Sequence, residues 1–212
     1  FFMGVWFCRD KTFGRNIRCS INSIMKKRVY IIHGWEGNPD SNWFPWLKQK
    51  LEEKNFSVEA LTMPDTMHPT LDGWLTHLQE TIKDVDAHTF LVGHSLGVIA
   101  ILRFLEALQQ NEKIGGAVLV AGFSEPIAYD ELGSFFSKPL DYEKVKNSAN
   151  AFVAIHSSND PYVPLKNGEI LRDKLGANLI VIENAGHLNA GGGFTELPTA
   201  LKAICKIALR AK

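Results

Sequence analysis

Six short apolar runs separated by helix-period segments constrain this 212-residue chain more than any other feature. The runs fall at 28–33, 57–63, 89–93, 117–121, 152–156 and 179–182. Most are continuously apolar, as in Val29-Tyr30-Ile31-Ile32, Ala117-Val118-Leu119-Val120 and Phe152-Val153-Ala154-Ile155. A strand that is apolar on both faces needs cover on both faces, which a parallel sheet between two helix layers supplies. Helical periodicity is read over 42–54, 70–83, 96–110, 165–175 and 195–209. In the third of these, Ile99, Leu102, Leu105 and Leu108 recur at threes with Ile101 and Phe104 beside them, so this helix is expected to be largely buried. Alternation of this kind calls for right-handed crossovers and an α/β fold with a doubly wound, six-stranded, mainly parallel sheet.

One connection breaks the rhythm. Residues 122–150 carry little helical signal, include Phe135-Phe136, and are long enough to suggest a small lid over a site. The first 24 residues also stand apart. Phe1 to Cys8 is apolar but too short to span a bilayer, and charges follow it instead of preceding it as a secretory signal requires. Met25-Lys26-Lys27-Arg28 then leads into the first strand and looks like a start of translation. Residues 1–24 are therefore expected to be an extension outside a single domain over 25–212. Failure of a chain starting at Met25 to fold would overturn that expectation.

Composition narrows the ligand. Lys+Arg and Asp+Glu balance at 23 each without a long block of either sign, so neither a nucleic-acid stripe nor a polybasic membrane patch is expected. Three scattered cysteines (Cys8, Cys19, Cys205) make no disulfide framework and no C-x-x-C pair, which points to a cytoplasmic protein. The seven histidines show no metal-ligand spacing, and both the G-x-G-x-x-G and Walker A patterns are missing. No metal and no cofactor are expected.

The chemistry-bearing motif is Gly93-His94-Ser95-Leu96-Gly97, which follows an apolar strand and opens a strong helix. A nucleophile elbow needs this setting: a strained strand-to-helix turn exposes the serine, and the flanking glycines let neighbouring backbone approach closely. The turn also aims the Leu96 amide and the helix N-terminus at developing negative charge. The competing reading is a glycine-flanked serine that caps a helix. A serine hydroxyl needs a base that is oriented by a third group, and behind such an elbow the chain order is Ser, then Asp or Glu, then His.

Asp160 directly follows the fifth run and His187 the sixth, where the carboxyl ends of parallel strands converge. Asp160 could instead be an Asp-Pro turn former, and His187 a surface histidine in a glycine-rich loop. Glu183 and Asp130 are weaker candidates for the acid. A second oxyanion donor is expected in the loop His33-Gly34-Trp35-Glu36-Gly37, by analogy the Trp35 amide. His33, His94 and His156, all at strand ends, are expected to be hydrogen-bonded structural residues. Trp43, Phe44, Trp46 and the aromatics of 123–136 fit either apolar pocket walls or core.

From Met25 onward the chain resembles the small serine hydrolases related to retinoblastoma-binding protein 9, within the α/β-hydrolase superfamily. The matching stretches are Ile31-Ile32-His33-Gly34, Met63-Pro64-Asp65 with Trp74, Gly93 to Gly97, Ser158-Asn159-Asp160-Pro161-Tyr162-Val163-Pro164, and Gly186-His187-Leu188-Asn189. The resemblance implies a compact α/β-hydrolase fold with a minimal or absent lid, and Ser95, Asp160 and His187 as a catalytic triad. Asp65 and Trp74 are read as structural. The family name also suggests a retinoblastoma-type partner, but the Leu-x-Cys-x-Glu ligand pattern is absent and that role is not carried over. The expected function is hydrolysis of an ester, thioester or amide bond in a small molecule, esterase- or amidase-like. The competing expectation is a non-catalytic protein-interaction module that keeps the fold.

Overall fold

The computed structural model describes residues 26–210. The expectation that residues 1–24 stand apart from the domain lies outside the described residues. Six strands form one parallel sheet: β1 (Arg28–Ile32), β2 (Ser57–Leu61), β3 (Thr89–His94), β4 (Gly116–Val120), β5 (Phe152–Ser157) and β6 (Asn178–Ile182). Their spatial order is β2-β1-β3-β4-β5-β6. The chain therefore winds one way from β1 to β2 and the other way from β3 onward. The reversal falls between β1 and β3, where Ile32 stands opposite Gly93, and a crevice opens at such a switch point beyond the strand carboxyl ends.

Helices cover both faces. On one side lie α1 (Phe44–Glu52) and α6 (Pro198–Ala208), which bury Phe44, Leu47, Leu51, Ala200 and Ile204. On the other lie α2 (Leu71–Thr81), α3 (Leu96–Ala107), α4 (Tyr142–Asn147) and α5 (Lys166–Leu175). Every residue of β3, β4 and β5 is buried, as continuous apolar runs require. All residues of α3 from Leu96 to Glu106 are buried too, so the helix that starts at Ser95 is fixed along its length.

The connection 122–150 differs from expectation. It holds a 3₁₀ segment (Asp130–Phe136) as well as α4, and it is anchored to the core through Phe123, Leu132, Phe135, Leu140 and Val145. The cause is Arg103 of α3, which is 2% exposed. Its guanidinium donates to the carbonyls of Phe135 at 2.9 Å and Lys138 at 2.5 Å, and pairs with Glu106 at 2.9 Å. Glu106 in turn accepts from the Asp141 amide at 2.9 Å, directly before α4. A lone buried charge would be costly, so one arginine organises a whole segment around its donors. The helical pattern was hard to read because the 3₁₀ segment and the six-residue α4 are too short to show a period.

Candidate active site

Ser95 sits between β3 and α3 with φ 54° and ψ −120°, a strained conformation for a residue with a Cβ. Its surroundings explain the glycines. A Cβ on Gly97 would lie 2.3 Å from the Ile32 carbonyl oxygen and 2.6 Å from that of His33. A Cβ on Gly93 would press on Ile101 at 2.8 Å and on the Gly97 carbonyl oxygen at 2.9 Å. Across the switch point the loop after β1 comes equally close, since a Cβ on Gly34 would stand 3.0 Å from Ser95 Cβ and 3.6 Å from Ser95 Oγ. The Trp35 amide thus follows a glycine that touches the serine, and the Leu96 amide opens the helix behind it.

Asp160 and His187 meet. The Nδ1–H of His187 donates to Asp160 Oδ2 at 2.7 Å, which leaves Nε2 as the free, basic nitrogen. The other carboxylate oxygen accepts from the amides of Tyr162 at 2.9 Å and Val163 at 3.0 Å. Burial pushes the Asp160 carboxyl up, but the hydrogen bonds from His187, Val163 and Tyr162 outweigh it and hold the group below the usual carboxylate range. The Asp-Pro turn and the acid role coexist, because one oxygen serves each. Asp130 begins the 3₁₀ segment and Glu183 follows β6, and the hydrogen bond to His187 is made by Asp160.

No hydrogen bond joins Ser95 Oγ to His187. The two are linked through His94, whose Nε2–H donates to the His187 carbonyl oxygen at 2.9 Å. Such nucleophile–base contacts are often long in ligand-free sites and tighten with substrate.

The loop that carries His187 is pinned residue by residue. Ser158 Oγ accepts from the Asn184 amide (3.0 Å), Ser157 Oγ from Ala185 (2.9 Å) and Asn159 Oδ1 from Gly186 (2.9 Å). Asp160 then takes the imidazole itself. Four consecutive residues from the end of β5 onward, Ser157 to Asp160, therefore template four consecutive residues after β6. On the far side Trp43 Nε1–H donates to the Leu188 carbonyl at 2.9 Å, and Asn42 Oδ1 accepts from the Ala190 amide at 2.9 Å. Leu188 has φ 51°, which only a firmly held loop sustains. Sequence reasoning assigned no role to Ser157, Ser158 or Asn159. The available signal was an unbroken polar run leading into Asp160, at the end of an otherwise apolar strand.

The other histidines divide. His33 is 1% exposed and fully paired: its Nδ1–H donates to the Gly34 carbonyl at 2.7 Å and its Nε2 accepts from the Met63 amide at 3.1 Å. Burial holds it below the usual imidazole range. His94 packs edge-on against Trp43 and Phe44 and tilts over His187 with ring centroids 4.8 Å apart. Burial, reinforced by His187, drives it down to about 3. His156 departs from expectation, because neither ring nitrogen has a hydrogen-bond partner among the described residues. Gly168 of α5 packs directly on the ring, where a Cβ would lie 2.7 Å from its Cδ2, and burial lowers the group to about 4.

Several aromatics resolve as core. Trp43, Phe44, Trp74 and Phe135 are all fully buried, and Phe123 is nearly so. Trp74 Nε1–H donates to the Pro64 carbonyl at 2.8 Å while its ring abuts His33 and Phe135, a structural role. Asp65 is an exposed turn residue with φ 39° that accepts from the His68 amide. No group of three His, Cys, Asp or Glu side chains able to hold a metal ion occurs among the described residues. No described helix is long and apolar enough to cross a membrane.

A six-stranded parallel sheet with a strained Gly-x-Ser-x-Gly turn at its switch point defines an α/β hydrolase. The serine hydrolase family model matches residues 29–206, and the chain belongs to that family. Over 175 residues it is 38% identical to the putative hydrolase YdeN of Bacillus subtilis, a match that covers 82% of this chain and 92% of that protein. It is 29% identical over 170 residues to the serine hydrolase RBBP9 of Rattus norvegicus, covering 79% of this chain and 88% of the relative. The crystal structure of the ydeN gene product from B. subtilis superposes with a TM-score of 0.83 at 36% identity, over 86% of this chain and 98% of that one. The family assignment makes the chain a hydrolase.

Proposed function

We propose that the chain hydrolyses an ester, thioester or amide bond of a small substrate through an acyl-enzyme on Ser95. The observation that carries this reading is the 2.7 Å bond between Asp160 and His187 on a loop tied to the elbow through His94. His187 Nε2 takes the Ser95 proton as Oγ attacks the carbonyl carbon. The resulting oxyanion sits against the Leu96 and Trp35 amides, and His187 then protonates the departing alcohol, thiol or amine. Water, deprotonated by the same nitrogen, attacks the acyl-enzyme and releases the carboxylic acid. Asp160 keeps Nδ1 protonated and stabilises the imidazolium that forms in both steps.

Two measurements test this. A fluorophosphonate should label the wild-type chain at Ser95 and leave Ser95→Ala unlabelled. Turnover of generic acyl esters should fall by roughly three decades or more in that variant. Undiminished turnover would sink the mechanism. Wild-type protein that takes the label yet leaves a broad panel of esters, thioesters and amides intact would favour the interaction-module reading.

A further inference from the structure

A groove of about 490 Å³ runs between the loop after β4 and the segment from Asp160 into α5. This volume lies within the range that holds small organic ligands. Pro126, Ile127 and Tyr129 line one wall, with Pro161, Tyr162 and Ile170 on the other. The inner end of each wall touches the catalytic centre. The Tyr162 ring meets His187 edge-on at 5.1 Å, and the Tyr129 ring meets Trp35 at 5.8 Å. One wall thus carries a ring against His187 and the other a ring against Trp35, which places the groove beside the candidate site. Tyr162 is 53% exposed despite its aromatic bulk, as a ring that waits for a ligand face would be.

Building on the hydrolytic reading above, we infer that this groove binds the neutral aryl moiety of an arylalkyl ester or amide. Proline and tyrosine rings are flat and stiff, and they offer faces and edges to an aromatic group with little rotamer entropy to lose. The groove's two charges, Glu125 and Lys166, are opposite in sign, and neither forms an ion pair among the described residues. The walls therefore select no net charge. A flexible alkyl chain fits the volume but gains no stacking.

The test compares pairs of similar length with the aryl group on either side of the carbonyl: methyl 3-phenylpropanoate against methyl hexanoate, and phenethyl acetate against hexyl acetate. A preference in kcat/KM of roughly three- to tenfold for the aryl member of at least one pair is expected. Ile127→Trp and Ile170→Trp fill the groove and should abolish that preference. No preference in either pair, or one that both variants leave intact, overturns the assignment. Binding separates this from the mechanism: 3-phenylpropanoate titrated into Ser95→Ala should shift backbone NMR resonances of 125–129 and 161–170. Shifts there without turnover of any ester, thioester or amide by the wild type would keep the groove and overturn the hydrolytic reading. Shifts confined elsewhere overturn the groove.

Discussion

His94 holds His187 by its backbone: the Nε2–H of one donates to the carbonyl oxygen of the other at 2.9 Å. The residue beside the proposed nucleophile thus positions the proposed base. Because His94 is buried and neutral down to about pH 3, the bond persists across any working pH. His94→Phe keeps the ring against Trp43 and Phe44 but removes the donor. It is expected to lower kcat by about ten- to a hundredfold and stability by about 1–3 kcal/mol, the cost of an unpaired buried carbonyl. His94→Gln, which retains a donor, should recover part of both. Equal kcat for His94→Phe and wild type would remove His94 from the mechanism.

The Ser157 hydroxyl has no spare capacity. It donates to Asn159 Oδ1 at 2.8 Å and accepts from the amides of Ala185 and Asn159. Ser157→Ala leaves the buried Ala185 amide without its acceptor and unties the loop from β5. Stability should drop by about 1–3 kcal/mol, seen as a lower denaturant midpoint at constant slope. Fluorophosphonate labelling of Ser95 should slow at the same time, since the base loop loses its template. A stability loss with an unchanged labelling rate would confine Ser157 to a structural role.

Two glycines near Ser95 should fail in different ways. In Gly97→Ala the new methyl collides with the carbonyls of Ile32, the last residue of β1, and of His33 directly after it, and relief would shift the end of that strand. A loss of about 3 kcal/mol or more is expected, read by thermal or chemical unfolding. In Gly34→Ala the methyl instead meets Ser95 Cβ at 3.0 Å beside the nucleophile. That variant should fold with a modest stability loss and lose most of its turnover. If Gly34→Ala turned over esters normally, the loop after β1 would not border the reacting carbonyl.

The sheet was legible because most strands are apolar on both faces, the edge strands β2 and β6 excepted, and the element limits read from periodicity fall within a few residues of those observed. The placement of Ser95 at a strained strand-to-helix turn and the pairing of Asp160 with His187 were legible because an elbow motif orders its expected partners and parallel topology fixes where they emerge; their catalytic roles are the proposal above. Two features were not. Arg103 lies within an apolar helix, and its Nε–H and Nη2–H find carbonyls 32 and 35 residues away, which no local pattern records. His156 looked like its paired neighbours at strand ends, yet the missing Cβ of Gly168, twelve residues further on, lets a helix close over it.

Arg103 can be tested against its own partner. Arg103→Met leaves the buried Glu106 carboxylate with only the exposed Lys138 at 3.4 Å and the Asp141 amide, and frees the Phe135 and Lys138 carbonyls. A loss of about 3–5 kcal/mol is expected for such a broken buried pair. Arg103→Met with Glu106→Leu should recover much of it, and the double-mutant cycle then measures the coupling. Additive single losses would mean that the segment 130–147 is held by its apolar contacts alone.

His94 and His156 set the acid limit of the fold. Both have folded-state pKa values depressed by burial, to about 3 and about 4, against an unfolded imidazole value of 6.5. Above pH 6.5 neither group is protonated in either state, and no stability depends on them. Below it the unfolded chain takes up two protons that the folded chain refuses, so stability falls as pH falls. The decline should approach the two-proton limit, roughly 3 kcal/mol per pH unit, around pH 5, and flatten for His156 once the folded protein itself protonates near pH 4. His156→Leu removes one of the two protons and two unpaired buried nitrogens. It should raise the denaturant midpoint at neutral pH and roughly halve the slope between pH 4.5 and 5.5. An unchanged slope in His156→Leu would mean that this imidazole is protonated in the folded state and has a buried partner for its charge.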